Sequence, residues 1–247
     1  MNTRVQILAL CIIAMISTWA HASVQARFEE TAPKLDNPCA YHFQSTPDGS
    51  ELANSEEALK ATSECIALSS TSLAMRAGML RIRSLAYEQL KDFKRAIVDY
   101  ENALQLVPAR TAWDIITLAS YYREAGQPEH ALLLLKQMLS DHLGTSGKGS
   151  APGMPSYYNL GITLIALQEW PEAAEAISEG LTYQTTYSWA YLYRALAYDH
   201  MNNAELARAD IYKVRSLINA EKEDVREKFL QRLKTLQLSE LLIKYSE

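Results

Sequence analysis

The chain has 247 residues, with 24 Lys and Arg against 29 Asp and Glu and a formal net charge of −5. A mildly acidic balance with no dominant basic patch gives no sign of a nucleic-acid partner. The length suits one domain or one repeat array.

The first element is a leader. Arg4 precedes an apolar run from Val5 to about Ala14, with further apolar residues to Trp19, and Ala20-His21-Ala22 supplies the small-x-small pattern of a signal-peptidase site. A membrane span needs about 20 uninterrupted apolar residues, and neither this run nor any later one reaches that length. Residues 1–22 are therefore expected to be a signal peptide cut after Ala22. The mature chain would then be exported, with the periplasm as the expected location and no span of its own.

Residues 23–54 are poorly periodic and contain Pro33, Pro38 and Pro47, so an irregular N-terminal strap is expected. Loss of Cys11 with the leader leaves two cysteines, Cys39 and Cys65, and an even pair in an exported chain reads as a disulfide. Cys39 and His42 also have metal-ligand spacing, and Cys65 would be a third ligand, with no fourth evident. Two free thiols are the remaining alternative. The expected state is the bridge without a metal, tying the strap to the segment SEEALKATSECIAL, residues 55–68, which reads as the second helix of a partial repeat.

From there a period sets in. Ala96, Ala131, Ala173 and Ala207 recur at gaps of 35, 42 and 34, and Ala58 stands 38 before the first. Four residues after each of the four alanines comes a large residue, Tyr100, Leu135, Ile177 or Ile211. Twelve before comes a small one, Ser84, Ala119, Gly161 or Ala195. Nine before stand Tyr87, Tyr122, Leu164 and Tyr198. Such units are predicted near 77–110, 112–143, 154–187 and 188–217, each a pair of amphipathic helices in which small residues permit close approach and large ones fill the groove.

The long gap is explained by GTSGKGSAPGMP, residues 144–155, a stretch of helix breakers expected to form an inter-repeat loop. It is not a phosphate loop: Gly147-Lys148 is followed by Gly149 in place of Ser or Thr, and His142 stands where the first Gly belongs. Beyond the last repeat, Val225, Phe229, Leu233 and Leu236 fall at helical spacing, and a capping helix over 220–246 is expected.

Tyr157-x2-Leu160-Gly161-x2-Leu164 followed by Ala173-x3-Ile177, and Ala96-x3-Tyr100 ending at Pro108, resemble the tetratricopeptide repeat, the TPR family. The resemblance covers about residues 77–217. It implies an all-α, right-handed solenoid of helical hairpins with about four repeats, over a TPR-like domain 55–247, in place of an ordinary helical bundle. It also implies a concave face, made by the first helix of each pair, that binds a protein or peptide. Carried onto this chain, the groove positions include Arg81, Trp113, Ile116, Arg123, Tyr158, Asn159, Ile162, Trp189 and Tyr193. Trp113 and Tyr158 stand outside the recurring packing positions and are the expected open anchors. Trp189, Leu192 and Tyr193 lie nearest the C-terminal helix, which either leaves them open or covers them. The clamp with which some TPR proteins hold acidic chaperone tails is missing, because Leu85 and Ser120 stand where Asn is wanted.

An enzyme is not expected. None of His42, His130, His142 and His200 lies in an HExxH, no Ser lies in a GxSxG, and no cofactor is implied. The expected function is a non-enzymatic exported adaptor for a protein or peptide segment. The alternatives are a structural or self-associating subunit of an envelope complex, and an accessory subunit of an envelope enzyme.

Overall fold

The computed structural model describes residues 39, 52, 54–68, 70–109, 111–141 and 153–245. The leader, all of the expected strap except Cys39, Leu52 and Asn54, and residues 144–152 of the expected loop lie outside the described residues, as do His42 and His142.

Eleven α-helices occur among the described residues: α1 (Ser55–Ala67), α2 (Leu73–Gln89), α3 (Phe93–Leu106), α4 (Ala112–Glu124), α5 (Pro128–Ser140), α6 (Met154–Ala166), α7 (Trp170–Tyr183), α8 (Ser188–His200), α9 (Ala204–Asn219), α10 (Glu223–Thr235) and α11 (Ser239–Lys244). They fall into two compact units, one ending at Ala125 and one beginning at Gly126. In the first, α1 packs on α2, α2 on α3 and α3 on α4. In the second, α5 packs on α6, α6 on α7, α7 on α8 and α8 on α9, while α6 also touches α8.

Local chemistry sets the helix starts. The side chains of Asn54, Ser72, Asp92 and Asn203 each accept from a backbone N–H of the first turn, which satisfies a donor the helix itself cannot. Thr111 and Asp114 form a capping box. Pro128, Pro155 and Pro171 sit in first turns, where a missing N–H costs nothing. Pro155 thereby moves one expected boundary: α6 begins at Met154 after an extended Gly153, so the expected loop 144–155 ends before its last two residues.

The turns inside the hairpins share one conformation. Lys91, Gly126, Gln168 and Asn202 have φ of 61, 76, 64 and 58°, and each stands five residues before its repeat alanine. At the non-glycine turns the backbone closes by a six-residue bond, from Asp92 N to Tyr87 O, Glu169 N to Leu164 O and Asn203 N to Tyr198 O, at 2.8–2.9 Å. This left-handed closure satisfies carbonyls that the helix end would leave bare.

The same device corrects the expected single capping helix over 220–246. Gln237 has φ 56°, and Leu238 N bonds Leu233 O at 3.0 Å. The segment is thus a fifth hairpin, α10–α11, with Leu242 in the alanine's place, 35 after Ala207. α10 packs on α9 and on α11.

The alanines lie at the contacts. Ala96, Ala131, Ala173 and Ala207 are fully buried and Ala58 nearly so. Ile177, four after Ala173, fills the notch over Gly161. At the N-terminal end Cys39 and Cys65 form a disulfide, packed with Met79 and Ile82 in a cluster flanked by Leu52, Ile66, Leu68 and Met75. Both sulfurs are committed to the bond, so the metal alternative for Cys39 and Cys65 does not hold.

Closing a loop across a sequence separation of 26 stabilises by about 3 kcal/mol in the chain-entropy account. Native protein is expected to titrate no thiol until denatured and reduced, because Cys65 is wholly buried and Cys39 nearly so. Reduction should raise amide exchange in α1 and the start of α2 and leave α6–α9 unchanged, since repeat arrays lose order locally. Two reactive thiols in the native protein would contradict the bridge.

Candidate functional site

The nine expected groove residues divide between the two units. In the first, Arg81 on α2 donates through Nη2 to the Val107 carbonyl at 3.2 Å and stands 3.5 Å from Asp114 on α4. Its guanidinium also lies over the Tyr100 ring, and Tyr100 meets Tyr121 edge-on at 5.7 Å. Arg81 and Trp113 are half-buried, whereas Ile116 and Arg123 are buried. Around them Ser84, Glu88, Ser120 and Glu124 are buried too, so the surroundings of these positions are polar and closely packed. Burial, with the Glu88 carboxylate close by, pushes the Tyr121 phenol well above its ordinary pKa. Burial and Asp114 do the same to Tyr100. Both phenols therefore stay protonated donors.

In the second unit the corresponding helices, α6 and α8, present an aromatic and apolar run. Tyr158 meets Tyr187 at 5.1 Å and Tyr193 at 5.9 Å, both edge-on. Trp189 lies 6.4 Å from Tyr193 and 4.4 Å from Phe229 of α10. Burial raises the Tyr187 phenol to about 12. Tyr158, Asn159, Ile162, Trp189 and Tyr193 are all under a tenth exposed.

This corrects the expectation for Tyr158. Its helical position does stand outside the recurring alanine and large-residue set, but its ring is wedged between two other tyrosines and belongs to the packing. Phe229 likewise covers part of Trp189. Of the two expected open anchors, only Trp113 keeps partial exposure.

Two polar atoms in this run have no hydrogen bond. Asn159 Nδ2 donates to the Pro155 carbonyl at 2.9 Å, while its Oδ1 is buried and unpaired. The Trp189 indole N–H is also buried and unpaired. At the other end of α8, Asp199 accepts from Lys244 Nζ at 2.5 Å and from the Tyr245 hydroxyl. Burial alone would raise this carboxyl, but the bonds from Lys244 and Tyr245 outweigh it and hold its pKa below the ordinary value.

One constellation escaped the sequence reading. Arg83 on α2 binds Asp99 on α3 through Nε at 2.6 Å and Nη2 at 2.8 Å, and reaches Ser63 on α1 with Nη1 at 3.1 Å. Arg194 on α8 binds Asp210 on α9 at 2.8 and 2.7 Å, and reaches Ser178 on α7 at 2.8 Å. Both arginines stand 13 before a repeat alanine, both aspartates three after it, and both serines five after the preceding one, Ala58 or Ala173. The recurrence of Arg and Asp in constant phase is the signal that would have found them. They join three helices within each unit.

Neither the family models nor the curated proteins compared with the chain match it. Solved structures do. MamA from Desulfovibrio magneticus RS-1, from residue 41 to its end, matches at 14% identity over 86% of this chain and 100% of that one, with a TM-score of 0.59. A double mutant of the RS-1 protein matches at 15% identity over 85% and 98%, with a TM-score of 0.57. YrrB, described as a TPR protein with an unusual peptide-binding site, matches at 17% identity over 68% and 79%, with a TM-score of 0.53. At these identities the likeness is one of fold. The phased alanines, the recurring left-handed turns and these neighbours agree: the chain has the tetratricopeptide-repeat fold, an all-α solenoid of helical hairpins.

Proposed function

We propose that this chain is a non-enzymatic, exported adaptor that holds a segment of another protein against the first helices of its hairpins, with the periplasm as its compartment. The observation that carries the reading is two buried, unpaired polar atoms on first helices, Asn159 Oδ1 and Trp189 Nε1, the second on an aromatic ring next to Tyr193. An unmade buried hydrogen bond costs about 1–3 kcal/mol. A peptide backbone offers both missing partners, an N–H for the amide oxygen and a C=O for the indole. Aromatic anchors of this kind carry much of the energy of protein recognition. The peptide-binding description of YrrB supports the reading by fold analogy.

Among the described residues no group of three His, Cys, Asp or Glu side chains is placed to hold a metal ion, and no helix is long and apolar enough to cross a membrane.

A photoreactive residue at half-buried Tyr187 is expected to capture a partner from living cells. One at Tyr212, exposed on α9, should capture none. Trp189→Ala should reduce the capture at least tenfold. Equal adducts from Tyr212, or capture indifferent to Trp189, would move recognition to another face. Cell fractionation tests export separately: the expected product begins at Ser23 and lies in the periplasm, and an unprocessed cytosolic chain would remove that part of the reading.

A further inference from the structure

The fifth hairpin does not sit as its phase would place it. In the first and fourth hairpins the residue three after the alanine position, Asp99 or Asp210, points at the first helix of its own pair. In the fifth that position is Tyr245, and its hydroxyl goes instead to Asp199 on α8, the first helix of the preceding pair. Lys244 joins it there. Fifteen residues earlier, Phe229 stands against Trp189 at the start of the same helix. Between these ends Arg215 on α9 donates to the Leu242 carbonyl at 2.6 Å. The segment thus spans α8 from Trp189 to Asp199, on the helix whose face the proposed function assigns to a partner.

We propose that residues 223–245 are a resident, exchangeable ligand of the α8 face. The partner that displaces them is an amphipathic helical segment with an aromatic anchor for Trp189 and a cation for Asp199. The inference rests on the proposed function, and it adds the kind of segment that binds and what must move first.

Three observations make the resident segment replaceable. Of its 23 residues thirteen are exposed and six are buried, Phe229, Leu233, Leu236, Leu238, Leu241 and Tyr245. The ion pair that closes its far end is half open to water, with Lys244 58% exposed, where charge attraction is weak. Its fit is also incomplete, because it leaves the Trp189 N–H without an acceptor. An incoming segment that places a carbonyl there gains a bond the resident never makes. The three residues Ala220–Lys222 between α9 and α10 supply the hinge.

The test uses the full chain and a fluorescent synthetic peptide of residues 223–245. Phe229→Ala with Lys244→Ala loosens the resident segment and leaves the α8 face intact. This variant is expected to bind the peptide at least tenfold more tightly than the wild-type chain does. Adding Asp199→Lys should abolish the gain. Equal affinity for variant and wild type, no binding to either, or binding indifferent to Asp199→Lys would each overturn the proposal.

If the variant fails to fold, amide exchange on the wild-type chain decides. Amides of 223–245 should exchange at least tenfold faster than those of α8, and equal protection overturns the proposal. No outside partner enters these measurements. Peptide exchange without cellular crosslinks would sink only the adaptor reading, and crosslinks without peptide exchange only this one.

Discussion

Replacing Gly161 with alanine is expected to destabilise the second unit by about 3 kcal/mol, the upper range for overpacking a tight core. A Cβ at this position would lie 2.3 Å from Ile177 Cγ1, 2.9 Å from its Cδ1 and 3.3 Å from the Ala173 carbonyl oxygen. Ile177 is fully buried and β-branched, and the carbonyl is helix backbone, so neither can step aside cheaply. Gly180 provides the contrast. A Cβ there would meet Met154 Sδ and Tyr157 Cβ at 3.0 Å, and a flexible thioether yields more readily than a branched side chain. Gly180→Ala should therefore cost clearly less. Urea unfolding of the two variants measures the difference. Combining Gly161→Ala with Ile177→Ala should cost less than the sum of the two, because the second change removes the atoms the first one strikes. A Gly161→Ala protein as stable as the wild type would mean that α6 and α7 do not approach this closely.

The notch over Gly161 also shows what a sequence can reveal. A repeat is legible when residue identity alone carries it. A small residue 12 before an alanine and a large one four after it have one physical meaning wherever they occur, so the hairpins could be placed from four alanines. The turns were less legible. Lys91, Gln168, Asn202 and Gln237 adopt the left-handed region without being glycine, and the closure bonds of the packed hairpin hold them there. With only Gly126 of the expected type, the last turn went unseen and α10–α11 read as one helix.

The candidate site was legible in position and not in cover. Helical phase places Tyr158, Trp189 and Tyr193 on the first helices of their hairpins. It cannot say that Tyr158 is wedged between Tyr187 and Tyr193, or that Phe229, forty residues further on, reaches Trp189. Those contacts depend on the path of the C-terminal segment, which no local period encodes. Arg83 and Arg194 failed to register for another reason. Charged residues on amphipathic helices read as solvated faces, and only their shared phase with Asp99 and Asp210 distinguishes them.

That shared phase leads to the other large expected effect. Asp210→Ala should cost about 3–5 kcal/mol, the range for removing one partner of a buried ion pair. Asp210 is 4% exposed, and its loss leaves the Arg194 guanidinium bonded to the neutral Ser178 hydroxyl, close to the rings of Tyr191 and Tyr198. The chain itself indicates the rescue. At the same two positions the second repeat carries Leu118 and Leu134, and the third carries Leu160 and Ala176. Those units fold without the pair, so apolar side chains fit this register. Arg194→Leu with Asp210→Ala, which copies the third repeat, should return to within about 1.5 kcal/mol of the wild type, because a buried pair and its apolar replacement are often close in stability. Arg194→Leu alone should be costly as well, since it strands Asp210 in a site where burial already pushes its carboxyl pKa up. Calorimetric or urea unfolding of the three variants completes the cycle. If the double variant is as unstable as the single ones, the two residues do more than satisfy each other. The further role would then lie with Ser178, as the point through which Arg194 fastens α7 to the α8–α9 hairpin.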